Sequence, residues 1–208
     1  MEAALNALSG VSNDAKAQIE ATQPYSVEVA IEGVVPLLFH RWSCEDVAEK
    51  ANARKGSKTK KQDNVEAYVY RTEEGEIGIP GVYLTASITN PKNGAAKYLQ
   101  DPRSPRKSAL DLYRAGVVSN TELASLGKRE WDFIDKRRVT IQGSGITRCR
   151  PAMAKGWKAI FELSVLLPEY IRPSELLDVL VNAGRFVGIA DMRPTYGRFQ
   201  VTNFNLVS

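Results

Sequence analysis

From Tyr25 to Gly33 apolar and polar residues alternate without a break: Val27, Val29 and Ile31 fall on one side, Glu28, Ala30 and Glu32 on the other. A period of two sends successive side chains to opposite faces of a pleat, so this segment predicts a strand with one buried face and one open face. Lys158 to Leu167, with Ile160, Phe161, Leu163 and Val165 and few breakers, is the strongest strand signal in the chain. A chain with two such strands far apart in sequence must bring them into a sheet, and the segments between them decide which sheet.

Val34 to Phe39 extends the first strand past Pro36 and ends at His40, Arg41 and Trp42. Glu66 to Arg71 reads as a strand with Tyr68 and Tyr70 on one face; Glu73-Glu74-Gly75 turns the chain, and Glu76 to Ile79 returns as a hairpin. Pro80-Gly81 precedes a helical stretch from Val82 to Leu99, which Asn90-Pro91 and Asn93-Gly94 divide into two short helices. Leu110 to Asp135 shows no clear period. Arg138 to Gln142 is a strand, followed by a flexible turn at Gly143-Ser144-Gly145. Ser174 to Ala183 is the clearest helix: Ser174 caps it, Glu175 suits its positive end, and Leu176, Leu177, Leu180 and Ala183 form its apolar face. Gly184 stands at its expected stop. Arg198 to Val207 is the last strand, and its pattern slips near Asn203, which predicts a bulge.

Without insertions the order is strand, helix, strand, strand, helix, strand. That order predicts an α+β fold of the ferredoxin-like, RRM-like βαββαβ type: an antiparallel sheet with helices on one face and inserted loops. Residues 1–24 read as an N-terminal arm with one short helix from Asp14 to Thr22. Residues 25–208 read as one RRM-like domain, with a basic insertion at 48–64 and a second loop insertion at about 100–136.

A chain of 208 residues, 43% hydrophobic and 25% charged, can bury a core of its own. No stretch reaches the roughly 18–20 apolar residues of a spanning helix, so no membrane partner is expected. The first residues lack a secretion signal, and Cys44 and Cys149 are too few and too far apart for a disulfide framework; a cytoplasmic location is expected. One histidine and two separated cysteines do not make a metal cluster, and neither a GxxxxGK[ST] loop nor a GxGxxG is present, so no metal and no cofactor are expected. Catalysis has one candidate, His40, as a general base or acid of a metal-independent ribonuclease. The absence of other catalytic signatures points to a non-enzymatic binding protein.

Charge gives the positive signal. Lys and Arg total 28 against 24 Asp and Glu, a net of +4. Lys50, Arg54, Lys55, Lys58, Lys60 and Lys61 follow one another with no acid among them, a pattern that attracts polyanions. A second basic loop carries Arg103, Arg106 and Lys107. Arg137, Arg138, Arg148 and Arg150 bracket the Gly143 turn, and Gly188, Arg193, Tyr196, Gly197 and Arg198 surround Pro194 beside the final strand. Guanidinium groups fork onto phosphate oxygens, glycines let a phosphodiester backbone approach, and aromatic rings stack on unpaired bases. Arg41 with Trp42 joins this set, and Trp42, Tyr196 and Phe199 are the stacking candidates. The partner expected is single-stranded RNA or DNA.

The run from Ala183 to Val201, AGRFVGIADMRPTYGRFQV, resembles the C-terminal glycine-rich loop and strand of the RAMP superfamily, the RNA-binding subunits of CRISPR effector complexes. Ile79-Pro80-Gly81-Val82-Tyr83-Leu84 is similar to the lead-in to the first helix of their backbone subunits, and the strand into Pro36-Leu37-Leu38-Phe39-His40-Arg41 looks like their first strand. The resemblance implies RRM-like domains that coat a guide-type RNA as a homo-oligomer or filament, alongside other CRISPR-type subunits, with the segments at 48–64 and 100–109 touching the strand. The chain departs from the family in its short length and in Ala190 and Asp191, where more glycine is usual; a compact relative from a phage or mobile element, coating RNA or DNA in general, would fit. Two alternatives stand beside it: an endoribonuclease of the RAMP type using His40, and a phage decoy that mimics a CRISPR backbone subunit.

Overall fold

The computed structural model describes residues 23–44, 48, 52, 64–141 and 144–207. Most of the expected arm at 1–24, most of the basic segment at 48–64, and Gln142 and Gly143 lie outside the described residues. In chain order the structure begins with β1 (Tyr25–Gly33), β2 (Leu37–Leu38), β3 (Tyr70–Arg71), β4 (Ile77–Pro80) and helix α1 (Gly81–Thr89). Next come β5 (Gln100–Asp101), β6 (Ser104–Ser108), α2 (Leu110–Gly116), β7 (Val117–Ser119) and β8 (Leu123–Ser125). The long hairpin β9 (Phe133–Ile141) and β10 (Ser144–Met153), then β11 (Lys158–Val165), α3 (Pro173–Asn182) and β12 (Phe199–Val207), complete the chain.

The central sheet has the order β12-β1-β11-β7, antiparallel throughout. The six-element plan is met with one substitution: β1 is the first strand, α1 with α2 the first helical layer, β11 the third strand, α3 the second helix and β12 the fourth strand. The second strand is β7 and not the expected strand from Arg138, which lies in β9 of another sheet. The last strand therefore lies beside the first, as the ferredoxin-like plan requires. Val27, Val29 and Ile31 of β1 and Phe161, Leu163 and Val165 of β11 are fully buried. They meet Leu84 and Ile88 of α1 and Leu176, Val179 and Leu180 of α3 in one core cluster. Ala30 pairs with Asn203 while Ile31 pairs with Val201, so Thr202 is the extra residue of the expected bulge.

Two further three-stranded sheets, β2-β10-β9 and β3-β4-β8, extend from this core. The strand expected from Arg138 begins at Phe133, and Ser144 and Gly145, expected in a flexible turn, pair with Ile141 and Thr140 as the start of β10. The stretch from 100 to 136, expected as a loop insertion, carries a β5–β6 hairpin, α2, β7, β8 and the first residues of β9. Short length hid the smallest of these: β7 has three residues and gains its place by pairing with β11. Glu66 to Tyr68, expected as strand, is a 3-10 turn, and only Tyr70 and Arg71 pair with β4.

Both ends of α3 differ from expectation. Pro173, not Ser174, opens the helix, and the Glu175 carboxylate accepts the Arg172 N–H at 2.8 Å, satisfying a donor that the first turn leaves free. Gly184 does not stop it. The chain runs on through one π-type turn, Ala183–Val187, closed by a bond from the Gly188 N–H to the Ala183 carbonyl at 2.8 Å. Gly184 serves close approach instead, since a Cβ there would stand 2.2 Å from the Phe199 carbonyl oxygen of β12. Among the described residues no helix is long and apolar enough to cross a membrane.

Gly184→Ala is therefore expected to destabilise the fold by about 1–3 kcal/mol, because the intruding methyl meets backbone that cannot rotate away. Urea unfolding checks this: the midpoint should fall at constant m-value. An unchanged midpoint would mean that β12 can withdraw from the helix end without loss.

Candidate nucleic-acid interface

The segment from Gly188 to Arg198 is closed on itself and fastened to the end of the first strand. Ile189 N–H donates to the Gly197 carbonyl at 2.9 Å, Gly197 N–H to the Pro36 carbonyl at 2.9 Å, and Asp191 N–H to the Leu38 carbonyl at 3.2 Å. Gly188 and Gly197 have φ of 76° and 71°, where a side chain is unfavourable, and a Cβ on Gly197 would stand 1.9 Å from the Ile189 oxygen. Ala190 and Met192 also take positive φ, 61° and 55°, on either side of Asp191. That conformation costs about 1–2 kcal/mol for a residue with a Cβ, so the tethers hold the loop in a shape it would not choose alone.

This loop forms one wall of a cleft of about 270 Å³. Phe39, His40 and Arg41, running on from β2, form a second wall; Tyr68 and Tyr70 form a third, and Tyr83 and Ala86 of α1 complete it. Arg41 N–H donates to the Tyr68 carbonyl at 3.0 Å, the His40 ring meets Tyr68 edge-on at 4.9 Å, and the Arg41 guanidinium lies 4.9 Å from the Tyr70 ring centre. Tyr70 and Tyr83 cross perpendicularly, with their hydroxyls 3.4 Å apart. Burial, then the Tyr70 hydroxyl, push the Tyr83 phenol well above its usual range, so it remains a protonated donor throughout the neutral region. Arg193 and Asp191 line the loop side of the cleft. Asp191 meets Arg150 of β10 at 2.5 Å, with the Arg150 side chain only 11% exposed.

Of the residues expected to bind, the cleft collects Arg41 and Arg193, with His40 beside them. Trp42 follows at 72% exposure. Gly188 and Gly197 shape the loop backbone. Arg137 sits on the adjoining hairpin, bonded to Asp135 at 2.8 Å, with its guanidinium 4.8 Å from the Tyr196 ring centre. Arg148 stands directly across from Arg137, and exposed Arg138 across from Thr147. Arg150 is committed to Asp191, so the loop acid pairs with the hairpin and not with Arg193. Arg198 is half-buried and outside the cleft, with its carbonyl accepting the Val34 N–H at 3.0 Å. Phe199 is buried at 3% exposure and cannot stack on a base. Arg106 and Lys107 are exposed on β6, away from the cleft walls; Arg103, in the turn between β5 and β6, forks onto buried Asp101, whose carboxyl it pulls down to about 2, and lies over Tyr170. Arg54, Lys55, Lys58, Lys60 and Lys61 lie outside the described residues. Sequence reading missed Tyr83 and Asp191 as cleft residues; Tyr83 lay within the motif at 79–84, and no local signal marked Asp191.

The open face of the central sheet differs in character. In ferredoxin-like RNA binders this face carries stacking aromatics. Here its cross-strand pairs are Ser26 with Ser164, Glu28 with Glu162, Ala30 with Ile160 and Glu32 with Lys158. Gln200, Asn203 and Asn205 continue it on β12. It presents neither an aromatic ring nor an arginine at these positions, and two carboxylates stand opposite each other.

Among the described residues no group of three or more His, Cys, Asp or Glu is placed to hold a metal ion. No family model matches the chain, and no curated protein matches it. Among solved structures, the chain is similar to a chain of the Type III-B Cmr-beta complex bound to cognate target RNA, at 10% identity and a TM-score of 0.45, covering 97% of this chain and 66% of that chain. It is similar to Cmr6 from Pyrococcus furiosus at 8% identity and a TM-score of 0.44, covering 87% of this chain and 99% of that one. The chain thus spans just under two thirds of the first of these. Its fold class stands on its own strand order.

Breaking the Arg150–Asp191 pair by removing one partner should be costly, whereas removing both together should not. Arg150→Met strands a half-shielded carboxylate and is expected to destabilise by about 2–3 kcal/mol, less than a fully buried pair because Asp191 keeps some access to water. Arg150→Met combined with Asp191→Leu should recover most of that loss. Urea melts of both single variants and the double variant give the coupling energy, and purely additive effects would show that the pair is not a unit.

Proposed function

We propose that this chain binds single-stranded nucleic acid, RNA in preference to DNA, along the face that carries the cleft and the β9–β10 hairpin. The observation that carries this reading is the convergence of Arg41, Arg193, His40 and three tyrosines in one cleft, with exposed Trp42 next to Arg41 and Arg137 on the hairpin alongside. Guanidinium groups meet phosphates and rings meet unstacked bases, a combination that duplexes, with their bases stacked inside, do not use. The RAMP resemblance adds RNA as the strand and assembly along it, with further copies of this chain or beside CRISPR-type subunits. The basic segment at 48–64 supplies additional phosphate contacts.

Filter binding with single-stranded RNA over a salt series tests the reading. Arg41→Ala and Arg193→Ala are each expected to lose about 1–3 kcal/mol and to reduce the salt slope by about 0.7 for each phosphate contact removed. Deleting residues 54–61 should weaken binding and flatten the slope further, while Glu28→Gln on the open sheet face should leave both unchanged. Loss of binding on the sheet face with no effect in the cleft would move the site. Sedimentation with and without RNA tests assembly, and a strict monomer in both would remove that part of the proposal.

His40 gives a second reading, because the imidazole shares the cleft with two guanidinium groups that could offset charge developing on a scissile phosphate. In that case the protein cleaves RNA in the presence of EDTA, and His40→Ala abolishes cleavage while retaining binding. Intact RNA after prolonged incubation would exclude it.

A further inference from the structure

At about 270 Å³ the cleft lies just below the roughly 300–1,000 Å³ of drug-sized ligand sites. That leaves room for one base with its ribose. Its polar groups divide by kind. Arg41 and Arg193 offer donors only, the Tyr83 hydroxyl remains protonated, and the carboxylate of Asp191 offers acceptors only. Two cations and one phenol suit phosphate and the carbonyl or ring-nitrogen acceptors that every base carries. The carboxylate is the group that discriminates.

Asp191 is held where it is by three independent constraints. Its N–H is bonded to Leu38, the residues on both sides are in positive φ, and its Oδ2 is buried against Arg150. The side chain is nevertheless 27% exposed, so with Oδ2 buried its other atoms carry that exposure, and the residue lines the cleft. An unstacked base entering the cleft meets a fixed negative acceptor. Adenine, cytosine and guanine carry an exocyclic amino group that can donate to it, as carboxylates accept from the cytosine amino group elsewhere. Uracil and thymine present one N–H flanked by two carbonyl oxygens, and those oxygens face the charge unfavourably. A buried or half-buried polar group left without its complement is what makes such a site reject the wrong ligand.

Resting on the single-strand reading above, we propose that the cleft holds one unstacked nucleobase, and that Asp191 makes it selective for bases bearing an amino group over uracil and thymine. The residue acts by direct contact with the base, while Arg41 and Arg193 hold the adjoining phosphates without regard to sequence.

The test is equilibrium binding of the full chain to oligo(A), oligo(C) and oligo(U) of equal length at one salt concentration. Wild type should bind oligo(A) and oligo(C) roughly tenfold more tightly than oligo(U), the size expected of one good base contact. Asp191→Asn presents a carboxamide that can meet either an amino group or a carbonyl, so it should bring the three affinities together. Homopolymers differ in their own stacking, but that difference belongs to the strand and would survive the substitution. Should Asp191→Asn fold poorly with Arg150 left unpaired, Arg150→Gln with Asp191→Asn replaces the ion pair by a neutral amide pair and must give the same loss of preference. Equal binding of all three strands by wild type, or an unchanged preference in a folded variant, overturns the selectivity and leaves the single-strand reading standing. Binding of none of the three strands overturns both.

Discussion

The backbone bond between Ile189 and Gly197, with its extension from Gly197 to Pro36, is the constraint on which the rest of the site depends. It carries the pairing of β1 with β12, which ends at Gly33 opposite Phe199, onward into the segment after β1 and the loop before β12. The price is two non-glycine residues in left-handed backbone, together about 2–4 kcal/mol. The bonds that fix the loop offset this: Gly188 to Ala183, Ile189 to Gly197, Asp191 to Leu38, Tyr196 to Met192 and Gly197 to Pro36, each worth about 0.5–1.5 kcal/mol net. Together these bonds match or exceed that cost, so the tethers can hold the loop in a shape it would not choose alone.

From that junction the other elements follow. Once Asp191 is fixed, Arg150 has a partner, and β10 is drawn against the loop in addition to its pairing with β2. Once β10 is placed, β9 carries Arg137 over Tyr196. On the opposite side Arg41 bridges by its N–H to Tyr68 and by its guanidinium to Tyr70. The cleft is therefore bordered by backbone bonds and the Arg150–Asp191 pair on the loop side, by the Arg41 N–H to Tyr68 on another, and by the crossed Tyr70 and Tyr83 rings at α1. Such a cavity is formed before any ligand arrives, which lowers the ordering cost of binding.

The sequence revealed what depends on local periodicity. β1, β11 and β12 were legible because β-branched and aromatic residues alternate over eight or more positions, and the bulge at Thr202 showed as a slip in that alternation. α3 was legible from its leucines, but its ends were not. Gly184 has the composition of a helix stop, yet its reason is the nearness of Phe199, which only the folded chain reveals. β7 was invisible because three residues have no period. The site divides in the same way. Arg41, Arg193 and the two loop glycines could be named from composition and motif, and the run that carries the RAMP resemblance contains the loop that walls the cleft. Tyr83 and Asp191 acquire meaning only through neighbours distant in sequence, Tyr70 for one and Arg150 for the other.

The charge distribution argues for the cleft face over the open sheet. Glu28 directly opposite Glu162 is unfavourable by up to about 1 kcal/mol, and the sheet keeps it, with Asn120 donating to Glu162 at 2.8 Å. A polyanion meeting that face finds carboxylates and small polar groups; Lys158, across from Glu32, is the cation among the β1–β11 pairs. With a screening length of about 8 Å at physiological salt, cations elsewhere on the domain cannot compensate for it. The repulsion is therefore local and survives the net charge of +4. On the proposed reading, affinity for a strand comes from surfaces where guanidinium groups stand within a few ångströms of rings; Arg41 over Tyr70 and Arg137 over Tyr196 place two such pairs on the walls and flank of one cleft, while Arg103 with Tyr170 and Arg185 with Phe186 stand outside it. On that reading a single strand lies where the loop and the hairpin meet, and not across the open face of the sheet.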